Sequence, residues 1–397
     1  MKKVKLAQPS QRVSTSPHHQ TLMPRSHHTQ PVSSTSDLTW SDSTELVGLV
    51  FEVVPLKTAR LFPEYTKTLH AWFLDQVRSH NPQLSAFLHD EESKKPFTIS
   101  GLDGKMDTTT EGQLQLLSDQ TYRWTVTAFS PTVVQWLGHW LEHLPPTIEL
   151  RYAPLQIQSV AFALPPTTYA QLYQTQIAKT LPLSFLSPTS FRRKGHHLPL
   201  PWPVNVFHSY SRRWNEFSGM PFDDEAFLAW VDESVLINRH QLESVKVAAG
   251  KQGKVTGFVG AIEYSLTNEA RKQQHFERLF TVLGQLAPYC GTGHKTTFGL
   301  GQTRLGWSSS PNSIELLLEQ AMLAKRIEQL TEMLMQGHKR TGGDRALKVC
   351  QTQATILVRQ EDGESLKAIA SDLDMPYETV KTYAKRARRT LKSDELV

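Results

Sequence analysis

The stretch GTGHKTTFGLGQTRLGW, residues 291–307, places four glycines next to a histidine and a lysine. A helical pattern (268–286) precedes it, and its later residues belong to a strand pattern (297–305). Dinucleotide-binding and P-loop sites need the order strand, glycines, helix, because the helix N-terminus supplies amides to the phosphate. The order here is reversed, so neither nucleotide motif fits this stretch.

Two roles are open for the glycines of this segment, which we call the glycine loop (residues 291–304). They either satisfy the backbone angles of a tight helix-to-strand connection or leave consecutive amides available as an anion-binding nest. Lys295 adds a fixed positive charge beside them. Because the glycines, a histidine and two threonines exceed the needs of one turn, the sequence favours the nest.

Strand and helix patterns follow the same order twice along the chain. The first set comprises a strand at 46–54, a helix at 63–79, strands at 95–100 and 121–130, a helix at 131–144 and a strand at 156–164. The second set comprises a strand at 183–191, a helix at 204–217, strands at 242–249 and 255–266, the helix at 268–286 and the strand at 297–305. This is the ferredoxin-like order. The predicted fold class is α+β, with two tandem ferredoxin-like (RRM-like) domains and a small all-α helix-turn-helix domain.

Composition and these patterns divide the chain into five predicted segments. The first is rich in Ser, Thr, Pro, Gln and His and has few large apolar side chains, which is typical of disorder. The segments are a disordered tail (1–43), an N-terminal ferredoxin-like domain (44–165), a C-terminal ferredoxin-like domain with the glycine loop (166–308), a helix and hinge (309–343) and a helix-turn-helix-like domain (344–397).

The overall composition narrows the class of partner and the location. The chain of 397 residues carries a net charge of +5 and has a pI near 9.0, which favours a polyanionic partner. Its two cysteines, Cys290 and Cys350, lack the spacing of a zinc site. No apolar run reaches the length of a membrane span, and the N-terminus lacks the apolar core of a signal peptide. We therefore expect a cytoplasmic protein with no metal, no cofactor and no membrane association.

Basic residues are interleaved with aromatic ones in the second predicted domain. One run consists of Arg192, Arg193 and Lys194, and Arg212 and Arg213 form a second, next to Trp214. Cations suit contact with an RNA backbone, and aromatic rings suit base stacking. The alternative is a solvated charged face. Several clusters within one domain favour RNA contact.

The pattern GxGxxxxxGxGxxR, in which Arg304 is the last residue, resembles the glycine-rich loop of the RAMP-superfamily CRISPR-associated endoribonucleases that process precursor crRNA. The resemblance covers residues 46–307. It implies a tandem ferredoxin-like fold that binds CRISPR repeat RNA and cuts it once per repeat without metal, leaving 2′,3′-cyclic phosphate and 5′-OH ends. The alternative function is a non-cleaving RNA-binding or DNA-tethering subunit of a CRISPR effector.

The same resemblance points to site residues in both domains. It implies His70, on the first predicted helix, as the proton-transfer residue, with Tyr65 and Lys67 one turn earlier to orient or stabilise the phosphate. The alternative for His70 is a partly buried structural histidine, and His80 and His294 are possible second participants. The predicted RNA-binding residues are Arg192, Arg193, Lys194, Arg212, Arg213, Gly291, Gly293, His294, Lys295, Gly299, Gly301 and Arg304.

The C-terminal stretch ESLKAIASDLDMPYETVKTYAKRARRTLK, residues 364–392, resembles the helix-turn-helix of sigma-factor region four. The second predicted helix carries cations on its outer face, which is typical of phosphate binding. The predicted nucleic-acid-binding residues of this helix are Lys381, Lys385, Arg388 and Arg389. Pro376 at the usual cap position and Glu378 near the reading end depart from the pattern and weaken the case for base reading. DNA, a longer RNA grip and an effector-complex subunit remain candidate partners.

Overall fold

The computed structural model describes most of the chain from residue 38 onward. The described ranges are 38–61, 65–89, 94–108, 114–193, 196–247, 255–308, 314–336, 343–361 and 364–394. Residues 1–37, most of the predicted disordered tail, lie outside them. Within the described ranges, no helix is both long and apolar enough to cross a bilayer.

The first half of the chain forms an antiparallel sheet covered by helices. Its elements are β1 (Leu46–Pro55), β2 (Ala59–Arg60), α1 (Tyr65–His80), α2 (Pro82–His89), β3 (Phe97–Asp103), β4 (Asp107–Thr108), β5 (Leu114–Leu116), β6 (Tyr122–Ala128), α3 (Pro131–Glu142), β7 (Thr147–Ile148) and β8 (Leu155–Thr167). The main sheet has the order β3-β6-β1-β8-β7, and every described neighbour pair is antiparallel. The four long strands follow the ferredoxin-like arrangement, in which the third strand separates the first two.

An aromatic core holds α1 and α3 against this sheet. Phe73 of α1 packs edge-on against Trp140 of α3, with ring centroids 6.0 Å apart. Trp140 in turn lies 5.7 Å from Phe51 of β1. All three side chains are fully buried, so this cluster fixes where α1 lies on the sheet.

The second half of the described chain repeats the arrangement. Its elements are α4 (Tyr169–Tyr173), β9 (Thr180–Thr189), β10 (Phe191–Arg193), β11 (His196–Leu198), α5 (Pro203–Phe217), α6 (Asp224–Ser234), β12 (Val235–Val247), β13 (Val255–Leu266), a 3₁₀ turn (Ala270–Lys272), α7 (Gln274–Cys290), a second 3₁₀ turn (Thr296–Phe298) and β14 (Thr303–Leu305). The sheet order is β12-β13-β9-β14, again antiparallel. Two tandem ferredoxin-like domains are therefore present, and the predicted fold class is confirmed.

The predicted strand at 297–305 is wrong over most of its length. Only Thr303–Leu305 pairs as a strand, and the residues before it form the 3₁₀ turn and a glycine-rich bend. Gly299 and Gly301 have φ angles of 81° and 70°. These values lie in the left-handed region, which a regular strand does not visit, so the glycines interrupt the strand.

The C-terminal part is all helical. It consists of α8 (Ile314–Gln336), α9 (Gly343–Glu361), α10 (Leu366–Asp372) and α11 (Tyr377–Asp394). The region predicted as a helix-turn-helix-like domain contains three of these helices, and α9 has 19 residues because its apolar face packs along both α8 and α11. We call α9, α10 and α11 the C-terminal module.

Candidate active site

His70 lies on α1 between two aromatic rings from different domains. Its imidazole centroid is 4.3 Å from the ring of Phe298, in the glycine loop, and 6.0 Å from the ring of Phe97, in β3. The histidine is half-buried. The first-domain helix and the second-domain loop therefore meet at the residue that the resemblance implies for proton transfer.

Burial shapes the protonation of this histidine. Burial, together with the nearby charges of His89 and Lys95, lowers the pKa of His70 from 6.5 to about 4, and burial is the largest of these causes. The imidazole is therefore neutral at pH 7. A neutral imidazole carries a free lone pair and can accept a proton.

Tyr65 and Lys67 do not share the surface that His70 forms with Phe298. The Tyr65 side chain is 2 % exposed, and its hydroxyl accepts a hydrogen bond of 2.9 Å from the Leu102 amide. Lys67 lines a cavity of about 280 Å³ between α1 and the C-terminal module. Tyr65 thus ties α1 to β3, and Lys67 points toward the C-terminal helices.

The backbone of the glycine loop is packed against the protein itself. A Cβ atom on Gly301 would lie 2.0 Å from the Thr292 carbonyl oxygen, and one on Gly293 would lie 2.3 Å from the Ser190 carbonyl oxygen. Both residues have positive φ. Only glycine fits such positions, because any side chain would collide with main chain.

Three of the four glycine amides are already used within the protein. The Gly291 amide donates to the Ala287 carbonyl over 2.8 Å, and the Gly301 amide donates to the Pro188 carbonyl over 3.1 Å. The Gly293 amide donates to the hydroxyl of Ser209 over 2.9 Å. The predicted nest is wrong for these residues, since their N–H groups satisfy the protein's own acceptors.

Side chains of α5 hold the loop from below. Arg213 donates to the Gly293 carbonyl over 3.0 Å and to the Ser209 carbonyl over 2.7 Å. The hydroxyls of Tyr210 and Thr292 are 2.6 Å apart. Arg213, predicted to bind RNA, therefore has a structural role in fixing the loop on α5.

Gly299 brings the loop into contact with the first domain. Its Cα lies so close to α1 and β3 that an added Cβ would meet Thr66 Cγ2 at 3.0 Å and the Gly101 amide nitrogen at 3.2 Å. Phe298, the preceding residue, covers His70. The glycine loop thus serves as a joint between the two domains.

A cavity of about 380 Å³ next to this joint is lined by cations. Its lining comes from the segment before β3, from β10, from α5 and from the glycine loop. The cations are Lys94, Lys95, Arg192, Arg212, Arg213 and Lys295. We call it the basic cavity. Because these six cations, which come from distant parts of the sequence, line one cavity, its electrostatic potential is positive.

Two histidines, His208 and His294, also line the basic cavity. His294 was predicted to bind RNA, and His208 was not predicted. His294 Nδ1 lies 2.8 Å from the Ser190 carbonyl oxygen, to which it can only donate. Burial lowers the pKa of His294 to about 4, so its ring is neutral at pH 7. His208, exposed on α5, lies 3.9 Å from an oxygen of Asp224. His294 therefore adds no charge to the cavity at neutral pH, and the lysines and arginines supply its fixed positive charge.

Arg304, another predicted RNA-binding residue, does not line the basic cavity. Arg304 is exposed and lines a separate cleft of about 300 Å³ on the other side of the loop, together with Asp103 and Arg123. Arg193 is the last residue of β10, and Lys194 lies outside the described residues. The predicted RNA-binding residues that line the basic cavity are Arg192, Arg212, Arg213, Gly293, His294 and Lys295.

Sequence reasoning missed Lys94, Lys95 and Phe298. The two lysines follow the acidic run DEES, which reads as a solvated segment of mixed charge. Phe298 lies in a stretch predicted as a strand, where an aromatic side chain needs no special role. The position of Phe298 directly before Gly299, inside the glycine loop, was the sequence feature that could have indicated a role for it.

The described residues contain no group of three or more His, Cys, Asp and Glu side chains arranged to hold a metal ion. The four predicted cations of α11 belong to the C-terminal module and take no part in lining the basic cavity.

A tandem ferredoxin-like pair joined by a glycine-rich loop is the architecture of the RAMP class of CRISPR-associated proteins. Residues 47–174 match the family described as the CRISPR Cas6 N-terminal domain, and residues 183–303 match CRISPR-associated endoribonuclease Cas6. Together these ranges make up more than half of the chain. The chain belongs to the Cas6 endoribonuclease family, and the predicted resemblance is confirmed. The C-terminal module lies beyond both matched ranges.

Curated relatives match over a shorter stretch. The CRISPR-associated endoribonucleases Cas6 of two Mycobacterium tuberculosis strains, CDC 1551 / Oshkosh and ATCC 25618 / H37Rv, are 25% identical over 123 residues. That stretch is 31% of this chain and 38% of each relative. The sequence match therefore spans less than half the length of these relatives.

Solved structures match over about two thirds of the chain. A Cas6 product complex has 25% identity and a TM-score of 0.53, covering 66% of this chain and 99% of its own. A Cas6 substrate mimic complex has 25% identity and a TM-score of 0.50, with the same coverage. A further Cas6 product complex, 23% identical with a TM-score of 0.55, covers 66% of this chain and 100% of its own, and shows the fold alone.

Proposed function

We propose that this protein binds CRISPR repeat RNA and cuts it by metal-independent transesterification, leaving a 2′,3′-cyclic phosphate and a 5′-OH. The observation that supports this most directly is the position of His70. Its neutral imidazole lies at the joint between the two domains, and the cation of Lys95, which lines the basic cavity, is near enough to lower its pKa.

In the proposed reaction, His70 acts as general base. The imidazole takes the proton of the ribose 2′-hydroxyl, the 2′-oxygen forms a bond to phosphorus, and the bond from phosphorus to the 5′-oxygen breaks. The leaving 5′-oxygen takes a proton from solvent. A bound phosphate next to the imidazole stabilises the imidazolium that forms, so RNA binding raises the pKa of His70 toward the working range.

The RNA backbone is proposed to enter the basic cavity. Arg192, Arg212 and Lys295 supply charges to phosphates, and Lys95 is the cation best placed to stabilise charge near His70. Arg304 is proposed to contact RNA in the neighbouring cleft. The glycines contribute through shape, because they let the loop approach both domains.

Two residues are proposed to position rather than to react. Phe298 packs against the imidazole of His70 with its ring tilted by 34° and restricts the motion of the imidazole, and Tyr65 anchors the start of α1 through the Leu102 amide. The two unpaired cysteines, Cys290 and Cys350, agree with a proposed cytoplasmic location, where disulfides are rare.

Cleavage of labelled repeat RNA in EDTA tests the proposal. The wild type is expected to give one cut with a cyclic-phosphate end, and His70→Ala is expected to slow it by about 10²–10⁴-fold while RNA affinity is kept. His275→Ala is the matched control, because His275 is an exposed histidine of α7 that lines neither the basic cavity nor the cleft of Arg304.

Other outcomes identify the alternatives. If the wild type binds repeat RNA but never cuts it, the protein is a non-cleaving RNA-binding subunit that acts through effector-complex or DNA contacts. If His70→Ala loses RNA binding together with cleavage, His70 is a structural histidine.

A further inference from the structure

The C-terminal module is a folded unit with a core of its own. Ile356 of α9, Ile369 of α10 and Val380 of α11 are all fully buried in one cluster. A second cluster joins α9 and α11 to α8. The three helices therefore hold fixed positions relative to one another, which a site that reads shape requires.

A buried ion pair fixes α10 on α9. The guanidinium of Arg359, whose side chain is 2% exposed, lies 2.6 Å from Glu364 and 2.6 Å from Asp372. These carboxylates lie just before α10 and at its last residue. A buried pair adds little net stability, but it defines one geometry, because breaking it leaves an unpaired buried charge.

The turn between α10 and α11 is equally defined. Asp374 adopts a left-handed φ of 48°, and the Met375 amide donates to the Ala370 carbonyl over 3.0 Å. The Thr379 and Val380 amides both donate to the Pro376 carbonyl, which fixes the first turn of α11. The start of α10 faces the first domain, where Arg151 donates to the Ser365 hydroxyl over 3.4 Å. Exposed side chains recur along α11 from Tyr377 to Arg389, so this helix has a broad outward face.

That face carries a row of cations opposite the core. The exposed cations are Lys381, Lys385, Arg386, Arg388 and Arg389. Lys381 pairs with Glu378 at 3.5 Å, and Arg388 donates to Gln360 over 2.7 Å. Glu378, in the first turn, is the acidic residue of this face. Beyond that turn, the charged side chains that are described on the outer face are all positive.

We propose that this face of α11 is a second nucleic-acid site, for duplex DNA, which lies with the helix in the major groove and its cations on the flanking phosphates. The inference goes beyond RNA cleavage and does not depend on it. It rests on the rigid module, the outward helix and the one-sided charge.

The dimensions favour DNA over duplex RNA. A helix of 18 residues is about 27 Å long and, with side chains, about 10–12 Å wide. The major groove of B-DNA is about 12 Å wide, whereas the major groove of A-form RNA is too narrow to admit side chains. Glu378 at the first turn repels phosphate and accepts hydrogen bonds only from donors such as the cytosine amino group. Affinity is therefore expected to depend mainly on phosphate contacts, with weak sequence preference.

Binding of a labelled 25-base-pair DNA of random sequence to the full chain tests the inference. The wild type is expected to bind at 50 mM salt and to lose about 10²-fold in affinity by 200 mM, as about four phosphate contacts imply. Lys385→Ala/Arg386→Ala is expected to weaken DNA binding at least tenfold. Arg271→Ala/Lys272→Ala, which removes two exposed cations from the second domain, is the matched control and is expected to change little.

The same assay with repeat RNA as competitor separates the alternatives. Loss of DNA binding in the α11 variant, with RNA binding kept, supports the inference whether or not the protein cleaves RNA. Absence of DNA binding at 50 mM salt overturns it, as does an equal loss in the control variant. A loss of RNA affinity without a loss of DNA affinity also overturns it, and shows that α11 extends the RNA grip.

Discussion

The glycine loop lies beside a cavity lined with cations, and α11 carries cations on its own surface, but the two regions have opposite arrangements of main chain and charge. The loop directs its main chain inward, where Gly291, Gly293 and Gly301 donate to protein acceptors. Helix α11 directs only apolar side chains inward and presents its charges to the outside. The loop therefore acts through the placement of other residues, and α11 acts through charge.

The largest expected effect is on the packing of the loop. Gly301→Ala places a Cβ 2.0 Å from the Thr292 carbonyl at a φ of 70°, and we expect a loss of about 3–5 kcal/mol in the free energy of unfolding. Gly219→Ala is the control, because Gly219 has a φ of 69° with nothing within 4 Å of an added Cβ. It is expected to cost about 1–2 kcal/mol. Equal losses in urea unfolding would show that the loop is not tightly packed.

The second prediction compares the charges of the two regions. Arg212→Ala/Lys295→Ala removes two cations from the basic cavity and is expected to weaken repeat RNA binding by about 10²-fold, at about 1.4 kcal/mol for each contact. The slope of log affinity against log salt is expected to fall by about 1.4, since each single-strand contact contributes about 0.7. An unchanged slope, equal to that of Arg271→Ala/Lys272→Ala, would place the RNA elsewhere.

The third prediction concerns the contact between the loop and His70. Phe298→Ala uncovers the imidazole, and the pKa of His70 is expected to rise from about 4 toward 6.5. A histidine NMR titration of the free protein measures this shift without any cleavage. Phe162→Ala, which removes a ring that packs on Trp40, is expected to leave the titration unchanged. A pKa that stays near 4 in Phe298→Ala would show that other groups desolvate His70.

The smallest expected effect is a local sensitivity to acid. His70 and His294 have folded pKa values of about 4 and ordinary values of 6.5, so the unfolded chain binds protons more readily between these limits. Stability is therefore present above pH 6.5 and is lost as the pH falls toward 4. Hydrogen exchange is expected to show this loss in α1 and the glycine loop and not in α11, which contains no histidine. His70→Ala is expected to reduce the loss.

The comparison also shows how far sequence patterns lead. Apolar periodicity predicted both ferredoxin-like domains, because strands such as β1 and helices such as α3 bury regular faces. It missed α6, in which apolar and acidic residues are mixed, although Asp223 caps the helix at the Ala226 amide. The strand predicted across Gly299 and Gly301 failed because positive φ angles are invisible in a hydropathy pattern.

The site was harder to predict than the fold. Arg192 and Arg212 were recognisable as basic clusters, but nothing in their spacing shows that they meet Lys95 in one cavity. That meeting depends on how the two domains join through the glycine loop. The glycines were recognisable from their density in the sequence, but the use of their amides depended on acceptors such as Pro188 and Ser209, which are remote in sequence.

Each of two separate cores contains one cysteine, and this gives the protein a built-in reporter. Cys290 is buried in the core of the second domain, where burial raises its pKa to about 11, and Cys350 is buried between α8 and α9. A thiol that is protonated and enclosed reacts only when its surroundings open. The rate of alkylation of each cysteine, followed by peptide mapping, therefore measures how fast the core of the second domain and the C-terminal helices open, independently and in one unlabelled sample.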